Sequence, residues 1–167
     1  EIETKLQRAE IADKLLNRVE DISLIDSTIV SKNDFLQFYK ISKETGSLKL
    51  EKLKLGNKTF DKVTYTTQRG DRKIISDTIK GNIQLLSTYK LLDDWSAPIS
   101  ISDQINTKAN ENYPFLMLDG VTLYFASDGK NSIGGYDIFI TKYSPNAKDF
   151  LTPENIGFPF NSPANDY

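Results

Sequence analysis

The stretch 128–137 concentrates the side chains best suited to chemistry. Asp128, Asn131 and Asp137 supply hard oxygen ligands of the kind that Ca²⁺ prefers, and Tyr136 adds an aromatic ring and a hydroxyl. We identify these four as candidate binding residues. Their spacing departs from that of an EF-hand loop, and no Glu stands at the closing position. A loop carboxylate of this type more often caps a turn by accepting backbone N–H groups, so no metal site is predicted.

The amino-acid composition excludes most of the common kinds of catalytic site. The chain has no His and no Cys, which excludes the commonest general base, thiol nucleophiles, disulfides and the usual zinc ligands. Glycoside hydrolysis needs two carboxylates on one cleft, and the available ones are Glu111, Asp119, Asp128 and Asp137. Asp119 belongs to a turn, and Glu111 recurs as Asp166 within a repeat, which indicates a structural role. We therefore predict that the protein is not an enzyme and needs no cofactor.

Length and charge set the class of protein. The chain has 167 residues, of which 38% are hydrophobic and 26% charged, so it can bury a core as one domain or as one domain with an appendage. A formal net charge of −2 disfavours nucleic acid as a partner. The longest apolar run, 113–118, is far too short for a transmembrane segment. The start at Glu1 suggests a processed or partial chain.

The elements that position these residues fall into two regions. Residues 1–21 are predicted to form an N-terminal helix, because apolar residues recur there at helical spacing. The two interpretations are a helix that packs one face on the rest of the protein and the end of a preceding helical region or a partner-binding helix. Residues 22–167 are predicted to be β structure. Within that region, 22–25 and 28–30 are β-branched stretches typical of strands, and 34–39 suits one helical turn.

An internal repeat organises the second half of the chain. Sliding the sequence by 55 residues aligns Pro98 with Pro153 and Asn106 with Asn161. The same register aligns a further set of identical or similar residues: Ile101 with Ile156, Ala109 with Ala164, Asn110 with Asn165, Ile105 with Phe160, Thr107 with Ser162, and Glu111 with Asp166. Upstream, a one-residue slip aligns Gly81 with Gly135, and 64–66 resembles 123–125.

The best-formed unit indicates its own strands. Apolar strands are predicted at 113–118 and 121–126, joined by the tight-turn pair Asp119 and Gly120. A third strand follows at 136–143, and Gly134 and Gly135 before it predict a bulge or a close backbone approach. A fourth strand near 95–101 would complete a four-stranded antiparallel blade. We predict a mostly β fold of incomplete β-propeller blades, about two (22–112 and 113–167) with the start of a third.

These residues resemble a known family. The repeat over 94–167, with Pro98, Asn106, Asp119, Gly120 and the 134–139 stretch, is similar to the WD-like, TolB-type propeller repeat of bacterial envelope proteins. The resemblance implies an exported protein of the periplasm, outer membrane or cell surface of a Gram-negative bacterium. It also implies a non-catalytic propeller that docks other envelope proteins. The family often carries an OmpA-like domain, so peptidoglycan or another glycan could be bound through parts outside this chain.

Three functional hypotheses follow. The first is a non-enzymatic propeller scaffold, within a larger protein because a propeller needs at least four blades. The second is a glycan-binding or glycan-cleaving propeller that uses loop carboxylates and aromatic rings. In the third, residues 1–56 hold the functional surface and the blades act as a spacer.

Overall fold

The computed structural model describes residues 2–16, 23–31, 34, 42–55 and 57–167. Helix α1 spans Ile2–Leu16, with Glu3 in its first turn and Lys14 in its last, the charge order that the helix dipole favours. It confirms the predicted short N-terminal helix over the part of the chain described there. No helix of the described residues is long and apolar enough to cross a membrane.

The strands predicted just after the helix are wrong where the structure describes them. Residues 23–31 have no regular secondary structure, and Leu24, Ile25 and Ile29 are almost fully exposed. β-branched residues favour a strand only when a neighbouring strand and a buried face are available, and this segment has neither. Of the helical turn predicted at 34–39, residues 35–39 lie outside the described residues.

Most of the remaining chain forms two open antiparallel sheets. The first contains β1 (Ser47–Leu55), β2 (Lys58–Thr66), β3 (Arg72–Ile79), β4 (Asn82–Tyr89) and β5 (Ile99–Ser100), in that spatial order. The second contains β6 (Glu111–Leu116), β7 (Thr122–Ser127), β8 (Asp137–Ser144), β9 (Asp149–Phe150) and β10 (Glu154–Asn155), in the order β10-β8-β7-β6 with β9 also on β8. The mostly β prediction is confirmed.

The strand predictions for the second sheet hold except at its edge. Strands β6, β7 and β8 match the three predicted strands to within two residues. The fourth strand was expected near 95–101, but β5 of that segment pairs with β4 in the first sheet. The second sheet instead takes β10, which pairs with β8. In each sheet, the segment that follows the last long strand turns back and pairs with that strand. The short strand formed in this way, β5 or β10, completes the sheet.

The two sheets share one hydrogen-bonding scheme. The Asn106 side chain accepts from the Leu85 N–H at 2.8 Å and donates to the Leu85 carbonyl at 2.8 Å. Asn161 makes the same two bonds to Ile138, at 2.7 and 2.9 Å. We call 100–110 and 155–165 strap 1 and strap 2, because each clamps the edge of β4 or β8 through this asparagine. The 55-residue register thus aligns residues with the same structural role.

The upstream register predicted from sequence is wrong. Leu85 corresponds to Ile138, 53 residues later rather than 54, because both are clamped by equivalent asparagines. The β2–β3 turn corresponds to the β6–β7 turn at an offset of 50, with Gly70 bonded to Thr67 as Gly120 is to Met117. Residues 64–66 therefore match 114–116 and not 123–125. Extra residues in the loops on either side of β8 account for the changing offset.

The core lies between the two sheets. Residues from both sheets and from strap 1 bury their side chains there: Tyr65, Ile74, Leu85, Ile105, Leu116, Leu123, Phe125, Phe139 and Phe150. The Tyr65 hydroxyl reaches 2.9 Å from the Leu116 carbonyl and 2.6 Å from the Thr45 carbonyl, so a polar contact also joins the sheets. Burying this set of apolar side chains supplies the main force that holds the sheets together.

Candidate functional site

The loop between β7 and β8 contains the four residues that sequence analysis singled out. Asp128 accepts from the backbone N–H and the side-chain Nδ2 of Asn110, both at 2.8 Å. Asp137 is fully buried and accepts from the Ile133 N–H at 2.8 Å and from Asn155 Nδ2 at 2.7 Å. Both carboxylates are thus committed to hydrogen bonds within the protein, and they hold the loop to strap 1 and to β10.

Tyr136 and Asn131 have different surroundings in the same loop. The Tyr136 ring meets the Tyr113 ring edge-on, with 6.1 Å between centroids. Burial, and then the charges of Asp128 and Glu111, raise the Tyr136 pKa, so its phenol stays protonated at neutral pH. Asn131 is exposed and adopts a positive φ of 74°, and its carbonyl accepts from Asn155. A protonated phenol and an exposed amide can bind by hydrogen bonding but offer no catalytic base.

The glycine pair before β8 is required by close packing. A side chain at Gly134 would meet the Pro163 backbone, and one at Gly135 would meet the Asn165 side chain. The Gly135 N–H donates to the Ala164 carbonyl at 3.0 Å. The pair therefore makes the close backbone approach that was predicted, with strap 2 as the segment approached.

The remaining predicted repeat residues lie in turns and connections. Asp119 accepts from the Val121 and Thr122 N–H groups, at 2.9 and 2.8 Å, and Gly120 has a φ of 71°, as the β6–β7 turn requires. Pro98 is exposed just before β5, and Pro153 is half-buried just before β10. Within the described residues, no group of three or more acidic, His or Cys side chains could hold a metal ion.

A buried carboxylate, Glu111, joins strap 1 to the second sheet. It is fully buried and accepts from the Thr107 N–H, the Thr107 hydroxyl at 2.7 Å and the Ser127 hydroxyl. Asp166 accepts from the N–H and hydroxyl of Ser162 in the same way. Burial raises the Glu111 pKa although these hydrogen bonds lower it, and nearby Asp128 raises it further. Its repetition in both units supports the structural role inferred from sequence.

Glu111 should make stability depend on pH. A folded-state pKa above the unfolded value means that the folded chain binds the proton more tightly. Its contribution is therefore most favourable below the ordinary glutamate pKa and declines as the pH rises through the raised value. We expect wild type to lose stability relative to Glu111→Gln as the pH rises from about 4 to 7. Urea unfolding at several pH values measures this difference.

The control for this titration is Glu154→Gln, which removes an exposed carboxylate from β10. Its stability relative to wild type is measured at the same pH values, and the change with pH at Glu111 is compared with the change at this exposed position. A Glu111→Gln difference that is constant with pH would contradict the assignment of a raised pKa to Glu111.

Helix α1 lies beside the candidate loop. A cleft of about 510 Å³ separates them, lined on the helix side by Arg8 and Lys14 and on the loop side by Lys130 and Asn131. Leu15 of the helix also packs close to Gly157 in strap 2. The N-terminal region therefore contacts the same end of the second sheet as the candidate binding residues.

An aromatic face that sequence analysis missed lies on the outer side of the second sheet. It borders a cleft of about 370 Å³, and the lining residues outside the core are called the aromatic face: Tyr113, Phe115, Tyr124, Ala126, Ile138, Ile156, Phe160 and Tyr167. The rings of Tyr113 and Tyr167 stack with centroids 4.3 Å apart. The Tyr113 hydroxyl also donates to Asp61 of the first sheet at 2.6 Å. The alternation of side chains along β7 could have indicated this face from the sequence, but only if the two repeat units had been aligned in their correct register.

A third concave surface lies where the turns of both sheets meet. This turn end is a cleft of about 530 Å³ between the turns 67–71 and 117–120. Arg69, Arg72 and Lys90 line it together with Met117 and Leu118, and Leu118 is 64% exposed. Leu92, in the neighbouring turn after β4, is 94% exposed. Three acidic residues line the same cleft: Glu44, Asp71 and Asp119. The turn end thus combines exposed apolar side chains with charges of both signs.

Comparison with protein-family models, curated proteins and solved structures finds no match to this chain. Evidence on function therefore comes from the repeat, the three clefts and the polar contacts around them.

Proposed function

We propose that the β region is part of a β-propeller that serves as a non-enzymatic docking scaffold in an exported bacterial envelope protein. The observation that carries this proposal is the shared clamp, in which Asn106 and Asn161 bind equivalent strand residues through equivalent bonds. Two successive sheets built on one scheme are what a radial repeat requires. The resemblance of 94–167 to envelope propeller repeats supports the location.

The carboxylates support a non-enzymatic role. Each of the four that could act in glycoside hydrolysis accepts hydrogen bonds from nearby protein groups: Glu111, Asp119, Asp128 and Asp137. A catalytic pair needs one carboxyl free to give or take a proton at the substrate. Here the carboxylates stabilise turns and straps, which is a structural role expected in a scaffold protein.

The turn end is the surface that best suits a protein partner. Exposed leucines such as Leu92 and Leu118 lose unfavourable contact with water when a partner covers them. Arg69, Arg72 and Lys90 can add charged hydrogen bonds at the rim. Because Glu44, Asp71 and Asp119 line the same cleft, apolar anchors beside charges of both signs favour a partner whose apolar side chains are bordered by both acidic and basic ones.

Crosslinking in envelope extracts of the source organism tests this function. The probe is the full chain, and its variant carries Leu92→Asp and Leu118→Asp. We expect the variant to lose at least about tenfold in capture of a specific partner protein. The control, Leu24→Asp, places the same charge on an exposed leucine that does not line the turn end, and it should retain capture. Equal capture by all three chains, or no specific partner, would contradict a docking role for the turn end.

A glycan-binding function is the alternative, and the aromatic face is the observation that favours it. Rings such as Tyr113, Tyr124 and Tyr167 line one cleft, and sugar rings can stack on aromatic side chains. A glycan-array screen with the full chain tests this alternative. Saturable binding that is lost in Tyr124→Ala would support it, whereas an array without a hit would eliminate it.

A further inference from the structure

The two sheets meet through unlike faces. The first sheet contributes Tyr65, Ile74 and Leu85 to the shared core, a side that we call face A. The second sheet contributes Leu116, Leu123, Phe125 and Phe139 from the opposite side, which we call face B. Because the sheets repeat one scheme, each also has the other face. Apart from Phe115, whose ring meets the Tyr65 ring edge-on with centroids 5.6 Å apart, face A of the second sheet and face B of the first contribute no residue to the shared core as described.

The aromatic face is face A of the second sheet. The offsets that align the hydrogen bonds also align the side chains of the two faces: Tyr65 with Phe115, Ile74 with Tyr124, Leu85 with Ile138, Ile101 with Ile156, and Ile105 with Phe160. Ile105 is only 1% exposed, whereas Phe160 is 65% exposed beside the open cleft. Equivalent positions are thus covered in one sheet and uncovered in the other.

We infer that the aromatic face is the docking surface for face B of a third sheet of the same repeat. The inference deepens the proposed function and rests on it. The first sheet shows what such a surface receives, because its own face A is covered by the apolar face B of the second sheet. Strap 2 also brings Phe160 to this surface as strap 1 brings Ile105 to the core.

A second copy of this chain fits the surface poorly. The face B that a second copy could offer belongs to its first sheet. There, Thr66 and Lys73 stand at the positions equivalent to Leu116 and Leu123. The Lys73 ammonium lies 3.8 Å from the Trp95 ring centroid, and Lys62 pairs with Asp77 on the same face. Burying these charges against aromatic rings would cost desolvation without new partners. The occupant is therefore a sheet whose face B is apolar, like that of the second sheet.

The test adds such a sheet to the chain and measures whether the aromatic face becomes covered. In the 55-residue register, Tyr167 corresponds to Asn112, so a copy of residues 113–167 is appended directly after Tyr167. The chain has no cysteine, so Phe160→Cys introduces a single thiol at the face. We expect its reaction with a maleimide to be at least about tenfold slower in the extended protein than in the original chain.

Two controls make the labelling specific. Leu92→Cys places the thiol in the exposed turn after β4 and should react equally in both proteins. A second extended protein carries lysine at the appended copies of Leu123 and Phe125, which removes the apolar face B, and should restore the reactivity of Phe160→Cys. If Phe160→Cys does not fold, Tyr124→Cys on the same face replaces it.

Three outcomes would overturn the inference. Equal reactivity in the original and extended proteins would mean that a third sheet does not dock there. Protection in the original chain that grows with its concentration would mean that a second copy covers the face. Protection of the original chain by a glycan would assign the cleft to a sugar. Labelling uses no envelope partner, so a failure of the crosslinking experiment leaves this result independent of it.

Discussion

Replacing Ile105 by alanine is expected to lower the free energy of unfolding by about 2–5 kcal/mol. Ile105 extends from strap 1 into the core between the sheets and is almost fully buried. Its truncation removes apolar contacts and leaves a cavity that two sheets held in register cannot easily close. Urea unfolding followed by circular dichroism measures the loss.

The repeat provides the matched control for this prediction. Phe160 occupies the equivalent position in strap 2, but it lies at the open aromatic face. We expect Phe160→Ala to cost less than about 1 kcal/mol, although it removes the larger side chain, since little surface is returned to water. Equal losses for the two variants would contradict the assignment of the core to one side of the second sheet.

Replacing Asn161 by alanine is expected to cost about 2–4 kcal/mol. The Asn161 side chain is fully buried, bonds to both the N–H and the carbonyl of Ile138, and also donates to Asn155 at 2.7 Å. Alanine leaves these partners without their hydrogen bonds, and buried polar groups left unpaired are costly. The same urea experiment measures the effect.

Two further variants separate the clamp from a general effect of substitution. Asn161→Asp keeps an acceptor for the Ile138 N–H but loses the donor, so we expect a loss at least as large as that of alanine. Asn146→Ala changes an exposed asparagine in the turn after β8 and should leave stability within about 0.5 kcal/mol of wild type. A small effect of Asn161→Ala would refute the view that the clamp holds strap 2 in place.

The sequence predicted the parts of the fold that depend on local pattern. Strands β6 to β8 alternate and are separated by turn residues such as Asp119 and Gly120, so both their existence and their bounds could be predicted. The segment 23–31 has suitable residue types without a strand to pair with, and its strands were predicted wrongly. A strand forms only beside another strand, and the composition of one segment does not indicate whether a neighbouring strand is available.

The site could be predicted only in part, for a related reason. The repeated Asn106 and Asn161 indicated that both matter, but not that each clamps a strand through two backbone bonds. The aromatic face required the true offsets between the units, since an error of one residue along β8 exchanges Ile138 with Phe139 and thus one face with the other. Small differences in loop length hid those offsets.

These differences in loop length suggest where the repeat can be engineered. The second unit is longer than the first only between β7 and β8 and in the turn after β8, while its clamped residues keep their partners. Surface loops accept insertions at small entropic cost when their ends are held by the scaffold. The two loops are therefore natural positions for grafting a foreign peptide or epitope, and the asparagine clamps should hold the unit in register around the insert.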